Sequence, residues 1–191
     1  MELFDGIPRI EGERILLREV IDADAASLEE LCQSEAVYRY EPTFLLERKY
    51  VDKHTAIARM REECLDARAS VLLAVCLREA PDDMLGIAEV YAYEERKPKA
   101  SIGYRLVERA WGRGIATEVA GLLKRHLLDE VGMRTITAHV LPQNAASARV
   151  LEKNGFRLLF RDVPEDWGFD EPVLVDKWVY KRRWEQDLLD D

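Results

Sequence analysis

Three closely spaced apolar runs constrain the fold of this chain more than any other feature. The first, SVLLAVCLR over residues 70–78, is almost continuously apolar and predicts a strand buried on both faces. The next two, MLGIAEVYAY over 84–93 and ASIGYRLV over 100–107, are rich in residues typical of strands. Because only short segments separate the runs, hairpins are the natural connections, and the chain must build a sheet around this meander.

The rest of the chain predicts a mixed α/β domain. Residues 81–83 (PDD) are expected to turn the chain inside the meander, and Gly86 marks a candidate bulge. The helix over 22–40 is expected to break near Ser34. The further predicted strands are 14–20, 135–141, 156–163 and 173–184, and the predicted helices are 22–40, 50–68, 113–130 and 144–155. Helices interleaved with a mostly hairpin-connected sheet indicate one α/β (α+β) domain over residues 1–191.

Charge and composition narrow the possible partners. The chain has 28 basic and 37 acidic residues, a net charge of −9, which disfavours nucleic acid and favours an amine-bearing or cationic partner. Its three cysteines have no zinc-site spacing and suit a reducing cytosol, and His126 and His139 are isolated, so we expect no metal. No secretory signal and no membrane-length apolar run is present, and we expect a cytoplasmic protein without membrane contact.

A glycine-rich segment precedes the third predicted helix. Arg109, Gly112 and Gly114 form Arg-x-x-Gly-x-Gly between a strand and that helix. Unpaired amides around Gly112, Gly114 and Ala116 would suit a pyrophosphate, because a helix start offers free N–H groups and partial positive charge. The segment lacks the Gly-Lys-Ser/Thr ending of a P-loop, and a meander before it fits a Rossmann unit poorly. By itself it also fits a helix start that merely turns the chain.

A second motif about 30 residues later changes the interpretation. Asn144-x-x-Ser147 opens an amphipathic helix that ends in Glu-Lys-x-Gly-Phe. The two motifs together resemble the GNAT superfamily of acetyl-CoA-dependent N-acetyltransferases, and the flanking RILLRE, ASIGYRLVERAWGRGIATE and DKWVYKRRW are similar to its ribosomal-protein N-terminal acetyltransferase subgroup. The resemblance covers about residues 12–181. It implies a central, mostly antiparallel twisted sheet, splayed at the cofactor site and flanked by about four helices.

The resemblance also implies which residues meet acetyl-CoA. The Arg-x-x-Gly-x-Gly segment would cradle the pyrophosphate and Asn144 would contact the pantetheine arm, while amides around Leu106 and Val107 would meet the oxyanion. Of the basic residues, Arg113 is the strongest candidate for a phosphate contact, beside Arg109, Arg149 and Lys153. The implied cofactor-binding set is Leu106, Val107, Arg109, Gly112, Arg113, Gly114, Ile115, Ala116, Thr117, Asn144 and Ser147.

Acetyl transfer needs a deprotonated amine and a proton for the leaving thiolate. Amines with a pKa of about 8 to 10.4 are largely protonated at neutral pH, so a carboxylate that takes the proton would help. Glu89 on the central strand is the first candidate, with a solvent-facing role as its alternative, and Glu41 is the second. Many family members carry a tyrosine acid at the position of Leu151 here, and the resemblance offers Ser147 in its place. Helix capping beside Asn144 is the alternative role of Ser147.

The acceptor is left open by the sequence. Glu41, Tyr91 and Tyr104 are the expected substrate-binding residues, with Tyr93 and Trp167 as further candidates for the pocket. The acceptor could be a protein N-terminus or a small amine such as a polyamine, an amino acid or an aminoglycoside. A coenzyme A-binding module without turnover and a purely structural domain are the alternatives from other classes. Edge strands near the C-terminus could pair into a homodimer.

Overall fold

The computed structural model describes residues 3–94 and 96–182, so the end of the strand predicted over 173–184 lies outside the described residues. Two short 3-10 turns, at Asp22–Asp24 and Glu108–Ala110, join the regular elements. The strands in this part of the chain are β1 (Ile10–Glu11), β2 (Ile15–Glu19), β3 (Val71–Leu77), β4 (Ala80–Glu94), β5 (Lys99–Leu106), β6 (Thr135–Val140), β7 (Arg157–Glu165) and β8 (Val173–Lys181). The helices are α1 (Ala25–Gln33), α2 (Glu35–Tyr38), α3 (Leu46–Lys49), α4 (Lys53–Leu65), α5 (Ile115–Asp129) and α6 (Ala145–Lys153).

The eight strands of the described residues form one sheet in the order β1-β2-β3-β4-β5-β6-β8-β7. The predicted meander is confirmed, because β3, β4 and β5 are antiparallel neighbours. The turn predicted at residues 81–83 is wrong, since Arg78 and Glu79 make the turn and 81–83 belong to β4. The partner of Leu77 is Ala80, whereas Cys76 pairs with Met84, so the intervening residues extend outward and are exposed.

The bulge predicted at Gly86 is also found. The register between β3 and β4 shifts where the pair Val75–Gly86 gives way to Cys76–Met84, which inserts an extra residue in β4. Gly86 has a φ of +157°, and a Cβ there would collide with the carbonyl oxygen of Arg105 and lie 2.8 Å from Leu106 Cα. Glycine at this position therefore lets β4 and β5 approach closely at the bulge.

The sheet opens between β5 and β6. These two strands are parallel and pair over three residues, ending at the pair Ser101–Thr137, where the two buried hydroxyls hydrogen-bond at 2.7 Å. Beyond that pair β5 continues to Leu106 and β6 to Val140 without pairing to each other. The expected antiparallel sheet that is splayed at one point is thus confirmed, and the gap leaves one edge of β5 open.

The helices pack on the sheet much as the apolar patterns predict. The break expected near Ser34 is present, because Ser34 ends α1 and caps α2 by accepting a hydrogen bond from Val37 N at 3.3 Å. The one-turn helices α2 and α3 raise the helix count of the described chain from the expected four to six. α1 and α4 contact β4 and β3, and α5 contacts β5 and β2. No helix in the described ranges is long and apolar enough to cross a bilayer.

The close approach at Gly86 predicts a large loss of stability on substitution. Gly86→Ala should lower the free energy of unfolding by about 3 kcal/mol, because the new methyl group meets backbone that cannot move aside. Urea denaturation at 25 °C measures the change. Gly103→Ala on β5 is the matched control, since the nearest atom to its Cβ would be 3.7 Å away on Tyr91, and it should be neutral or slightly stabilising. Equal stability of the two variants would contradict the role of Gly86.

Candidate active site

The start of α5 forms one wall of a large cleft. Gly112 and Gly114 have φ values of +70° and +75°, a left-handed conformation that glycine adopts without strain. Gly114 is the N-cap and brings no side chain to cover the first turn, so the N–H groups of Ile115, Ala116 and Thr117 have no intrahelical partner. All five residues line a cavity of about 610 Å³. A helix start of this kind binds anions.

Glu118 holds this helix start in place. Its carboxylate accepts hydrogen bonds from the backbone N–H of Arg14 at 2.8 Å and of Ile15 at 3.1 Å, and from Arg14 Nε at 3.0 Å. Although burial acts to raise the pKa of Glu118, these hydrogen bonds outweigh it and the pKa is lowered. The first turn of α5 is therefore tied to β2, a connection across the chain that the sequence analysis missed.

The basic residues divide into two groups. Arg109 faces away from the cleft, where its guanidinium pairs with Glu30 at 3.1 Å and with Asp83 at 2.7 Å. Arg113 is likewise absent from the residues that line the cavity, and its carbonyl oxygen accepts a hydrogen bond from Arg14 Nη1 at 3.2 Å. The basic residues that line the cleft are Arg39, Arg105, Arg149 and Lys153. Of these, Arg105 is paired with buried carboxylates, and Arg39 was not expected.

The open edge of β5 contributes backbone to the cleft. The N–H of Val107 donates to the carbonyl oxygen of Leu85 at 2.9 Å, so this amide is engaged within the sheet. Because bonding alternates along a strand, Leu106 turns its own N–H and C=O to the gap beside β6. The Leu106 carbonyl oxygen accepts a hydrogen bond from Trp111 Nε1 at 2.8 Å. Of the two backbone N–H groups expected to meet the oxyanion, those of Leu106 and Val107, the Leu106 N–H is the one that faces the gap.

Asn144 and Ser147 lie where the cleft meets a second cavity. Asn144 caps α6, because its Oδ1 accepts from Ser147 N at 3.1 Å. Asn144 therefore performs the capping role that had been an alternative for Ser147. Both residues line both cavities, and the hydroxyl of Tyr104 lies 3.5 Å from the Ser147 carbonyl oxygen.

The second cavity, of about 220 Å³, brings together the three expected acceptor-site residues, Glu41, Tyr91 and Tyr104, with Glu89 and Trp167. Tyr93 is not in this wall and packs edge-on against the Phe4 ring, with centroids 5.6 Å apart. The two cavities share Tyr40, Glu41, Tyr104, Arg105, Asn144 and Ser147. A molecule in one cavity therefore lies next to a molecule in the other.

A buried ion network lies under this junction. Arg105 on β5 pairs with Glu47 on α3 and, through Nη1, with Glu89 Oε2 at 3.1 Å, and the side chains of Arg105 and Glu47 are 2% and 0% exposed. The Tyr38 hydroxyl donates to Glu47 Oε1 at 3.1 Å. Two buried atoms of the network, Glu47 Oε2 and Arg105 Nη2, have no hydrogen-bond partner among the described residues. The network joins the α2–α3 region to the sheet below the cavities.

Burial shifts the acidic groups of the junction. Burial raises the pKa of Glu41 to about 8, against the lowering effect of Arg105. Burial also raises the pKa of Glu89, although Arg105 opposes it there too. The pKa values of the Tyr91 and Tyr104 hydroxyls rise for the same reason, so both tyrosines stay protonated at neutral pH. Carboxylates with raised pKa are suited to accepting a proton near neutral pH.

Two loops and β6 complete the acceptor side. His139 Nδ1 lies 3.1 Å from Glu165 Oε1, and Trp167 Nε1 donates to Glu165 Oε2 at 3.0 Å. Burial lowers the pKa of His139. Thr43 joins the loop after α2 to the β7–β8 loop, since its N–H donates to the Trp167 carbonyl oxygen at 2.9 Å. His139 and Glu165 were missed as site residues because their proximity depends on strands β6 and β7, which are separated in sequence.

The two cavities adjoin and give this fold room for two molecules side by side. Residues 14–157 match the acetyltransferase (GNAT) domain family, and the chain belongs to that family as an acetyl-CoA-dependent acyltransferase. The resemblance found in the sequence is thereby confirmed. No group of three or more residues able to hold a metal ion occurs in the ranges that the structure describes.

Known relatives agree with this assignment. The chain is 26% identical over 152 residues to an uncharacterized N-acetyltransferase, YoaA, of Bacillus subtilis, a match covering 78% of this chain and 83% of the relative. Among solved structures, the RimL ribosomal L7/L12 alpha-N-protein acetyltransferase with coenzyme A has a TM-score of 0.74 at 16% identity, over 91% of this chain and 98% of that one. The spermidine N-acetyltransferase from Vibrio cholerae with coenzyme A and spermine has a TM-score of 0.72 at 14% identity, over 90% and 98%.

The attachment of α5 predicts the effect of removing Glu118. Glu118→Ala should lower the free energy of unfolding by about 2–3 kcal/mol, because two backbone N–H groups lose their acceptor. Since the folded-state pKa of Glu118 is depressed, its contribution is present above about pH 4.3 and is lost as the pH falls below that. Urea denaturation at pH 7 and pH 3 measures both effects. Glu152→Ala on the exposed side of α6 is the control and should change stability by less than about 0.5 kcal/mol.

Proposed function

We propose that this chain is an N-acetyltransferase that moves the acetyl group of acetyl-CoA directly to a primary amine in a ternary complex. The observation that carries the proposal is the junction of the two cavities, whose shared wall includes Glu41, Tyr104, Asn144 and Ser147. With one substrate in each cavity, the reacting groups would meet at that wall. Direct transfer needs no covalent enzyme intermediate.

The residues of the larger cleft fit coenzyme A. The unpaired N–H groups at the start of α5 suit the pyrophosphate, because they donate hydrogen bonds and carry the positive end of the helix dipole. Arg39, Arg149 and Lys153 supply positive charge on the same cleft for the phosphates. Asn144 and the open edge of β5 at Leu106 offer polar groups for the pantetheine arm.

The chemistry follows from the groups at the junction. Bound acetyl-CoA supplies an acetyl thioester. Glu41 or Glu89 would take the proton that the attacking amine sheds, and the Leu106 N–H faces the gap where a donor can stabilise the charge on the acetyl oxygen. Ser147 lines both cavities, and its hydroxyl would give a proton to the leaving sulfur. One proton thus passes in net from nitrogen to sulfur.

The acceptor class follows from charge. The smaller cavity is lined by Glu89, Glu165 and Asp166 and by Glu41, which is mainly negatively charged above about pH 8, whereas Arg105 is already paired with carboxylates. Such a pocket favours an amine that arrives as an ammonium ion. Of the two solved relatives, one is a ribosomal L7/L12 alpha-N-protein acetyltransferase and the other is a spermidine N-acetyltransferase, and both of these acceptors offer primary amines. We expect the enzyme to act in the cytoplasm.

Release of free coenzyme A thiol tests the proposal. Purified enzyme with acetyl-CoA should release thiol only when an acceptor amine is added, and mass spectrometry should find one acetyl group on that amine. The acceptor panel contains N-terminal peptides, polyamines, amino acids and aminoglycosides. Tight coenzyme A binding without thiol release for any acceptor would instead favour a binding module without turnover.

The open backbone at Gly112 predicts a specific effect on coenzyme binding. Gly112→Val should weaken coenzyme A binding about tenfold or more, since the branched side chain would occupy the cleft and strain a left-handed residue. Isothermal titration calorimetry measures the dissociation constant. Gly132→Val is the matched control, because Gly132 has a φ of +82°, equally open space around its Cβ and no place in either cavity. Equal affinities of the two variants would refute the cleft assignment.

The position of Ser147 predicts a separation of turnover from binding. If its hydroxyl protonates the leaving sulfur, Ser147→Ala should lower kcat at least about tenfold, while the dissociation constant for coenzyme A changes little. The capping of α6 is unaffected, because the cap uses the Ser147 backbone N–H. Steady-state kinetics and calorimetry on the same preparation measure the two quantities. An equal loss in both would indicate a binding role instead.

A further inference from the structure

The two candidate bases at the acceptor cavity are held very differently. Glu89 Oε2 accepts a hydrogen bond from Arg105 Nη1 at 3.1 Å, so this carboxylate is one side of an ion pair. Glu41 lines both cavities, and among the residues that the structure describes its carboxyl group has no hydrogen-bond or ion-pair partner. Of the two groups, Glu41 therefore has its oxygens available for a proton from the acceptor.

Arg105 is fixed from two sides. Its Nε pairs with Glu47 from α3, which is fully buried and also accepts from the Tyr38 hydroxyl. Lys53 Nζ donates to the Glu47 carbonyl oxygen at 3.1 Å, which ties the same segment to α4. The guanidinium cannot turn away from Glu89 without breaking this network. Arg105 thus directs positive charge at Glu89 permanently.

We propose that Glu41 is the general base of the transfer and that Arg105 is a positioning residue, which engages Glu89 as a counter-ion and leaves Glu41 free to accept the proton. This inference rests on the proposed function. As the amine nitrogen forms its bond to the acetyl carbon, the carbon–sulfur bond breaks and its electron pair stays on sulfur. Glu41 takes the proton shed by nitrogen and releases it to solvent after the transfer. Sulfur receives a proton from solvent, either directly or through Ser147, which solvent then reprotonates.

The electrostatic surroundings of Glu41 support this division of roles. The groups that interact with it are Arg105 and Tyr104 from β5, Glu89 and Tyr91 from β4, and Glu47 from α3. The same cavity is also lined by His139, Glu165 and Asp166. Burial, together with Glu89 and Glu47, raises the pKa of Glu41 to about 8, and Arg105 opposes the rise. Activity limited by this group should therefore increase as the pH rises through about 8.

Conservative variants separate the two carboxylates. The pH profile of kcat/KM is measured for each enzyme with one acceptor, so that the acceptor's own titration cancels between enzymes. Glu41→Gln should lower kcat/KM about 100-fold or more and flatten the rise with pH, whereas Glu89→Gln should lower kcat/KM less and keep the rise. Glu89→Gln should also move the midpoint to lower pH, because it removes a negative charge that raises the pKa of Glu41.

Replacing Arg105 should shift the midpoint of the pH profile in the direction opposite to that of Glu89→Gln. Arg105→Gln should move the midpoint upward by about one pH unit, since the largest charge that lowers the Glu41 pKa is lost. Arg105→Lys keeps the charge and should leave the midpoint close to wild type. A merely structural role would change stability without these opposed shifts.

Carbon-13 NMR of protein labelled at its glutamate carboxyl groups tests the same inference without turnover. It also does not depend on the Arg105→Gln variant being folded. A carboxyl signal titrating near pH 8 should disappear in Glu41→Gln and shift to lower pH in Glu89→Gln. A collapse of activity in Glu89→Gln with activity retained in Glu41→Gln would overturn the inference, as would the absence of such a signal. Wild-type enzyme that releases no thiol with any amine refutes the proposed function, while the NMR titration still decides the state of Glu41.

Discussion

The parting of β5 from β6 is the constraint on which the rest of the site depends. Parallel pairing ends at Ser101 and Thr137, and from there the two strands separate while each stays bonded to its outer neighbour. Backbone groups buried elsewhere in a sheet are satisfied by the next strand, so an open edge inside a sheet is uncommon. Here both cavities use that edge, and α5 and α6 begin beside it.

The buried ion network joins α3 to the sheet beside the gap. Arg105 rises from the sheet at the gap and binds Glu47, so the segment that carries Glu41 is held against β4 and β5. A network with an unpaired donor and an unpaired acceptor is a weak contributor to stability, since apolar side chains of equal volume often stabilise as well. Its value lies in positioning charge, because the same guanidinium distinguishes two carboxylates that burial alone would treat alike.

The sequence predicted most of the residues that line the cleft and few of the contacts around it. The left-handed backbone at Gly112 and Gly114 and the helix cap at Asn144 were predictable, because residue type and local spacing determine both. Arg109 has the spacing of the phosphate-binding motif. Its long side chain nevertheless extends away from the cleft and pairs with Glu30 and Asp83. Side-chain direction follows from partners brought by other elements, and spacing contains no information about them.

What the sequence alone determined is the order of the longer strands and helices along the chain, the glycine-marked helix start and the family, because periodicity, capping and turn chemistry are local properties of the chain. Only the tertiary structure decided the partners of Arg105 and Glu118, since Arg105 meets Glu47 across 58 residues and Glu118 meets Arg14 across 104. Such contacts depend on strand register and helix placement, which the whole core fixes together. The different circumstances of Glu41 and Glu89 follow from those contacts.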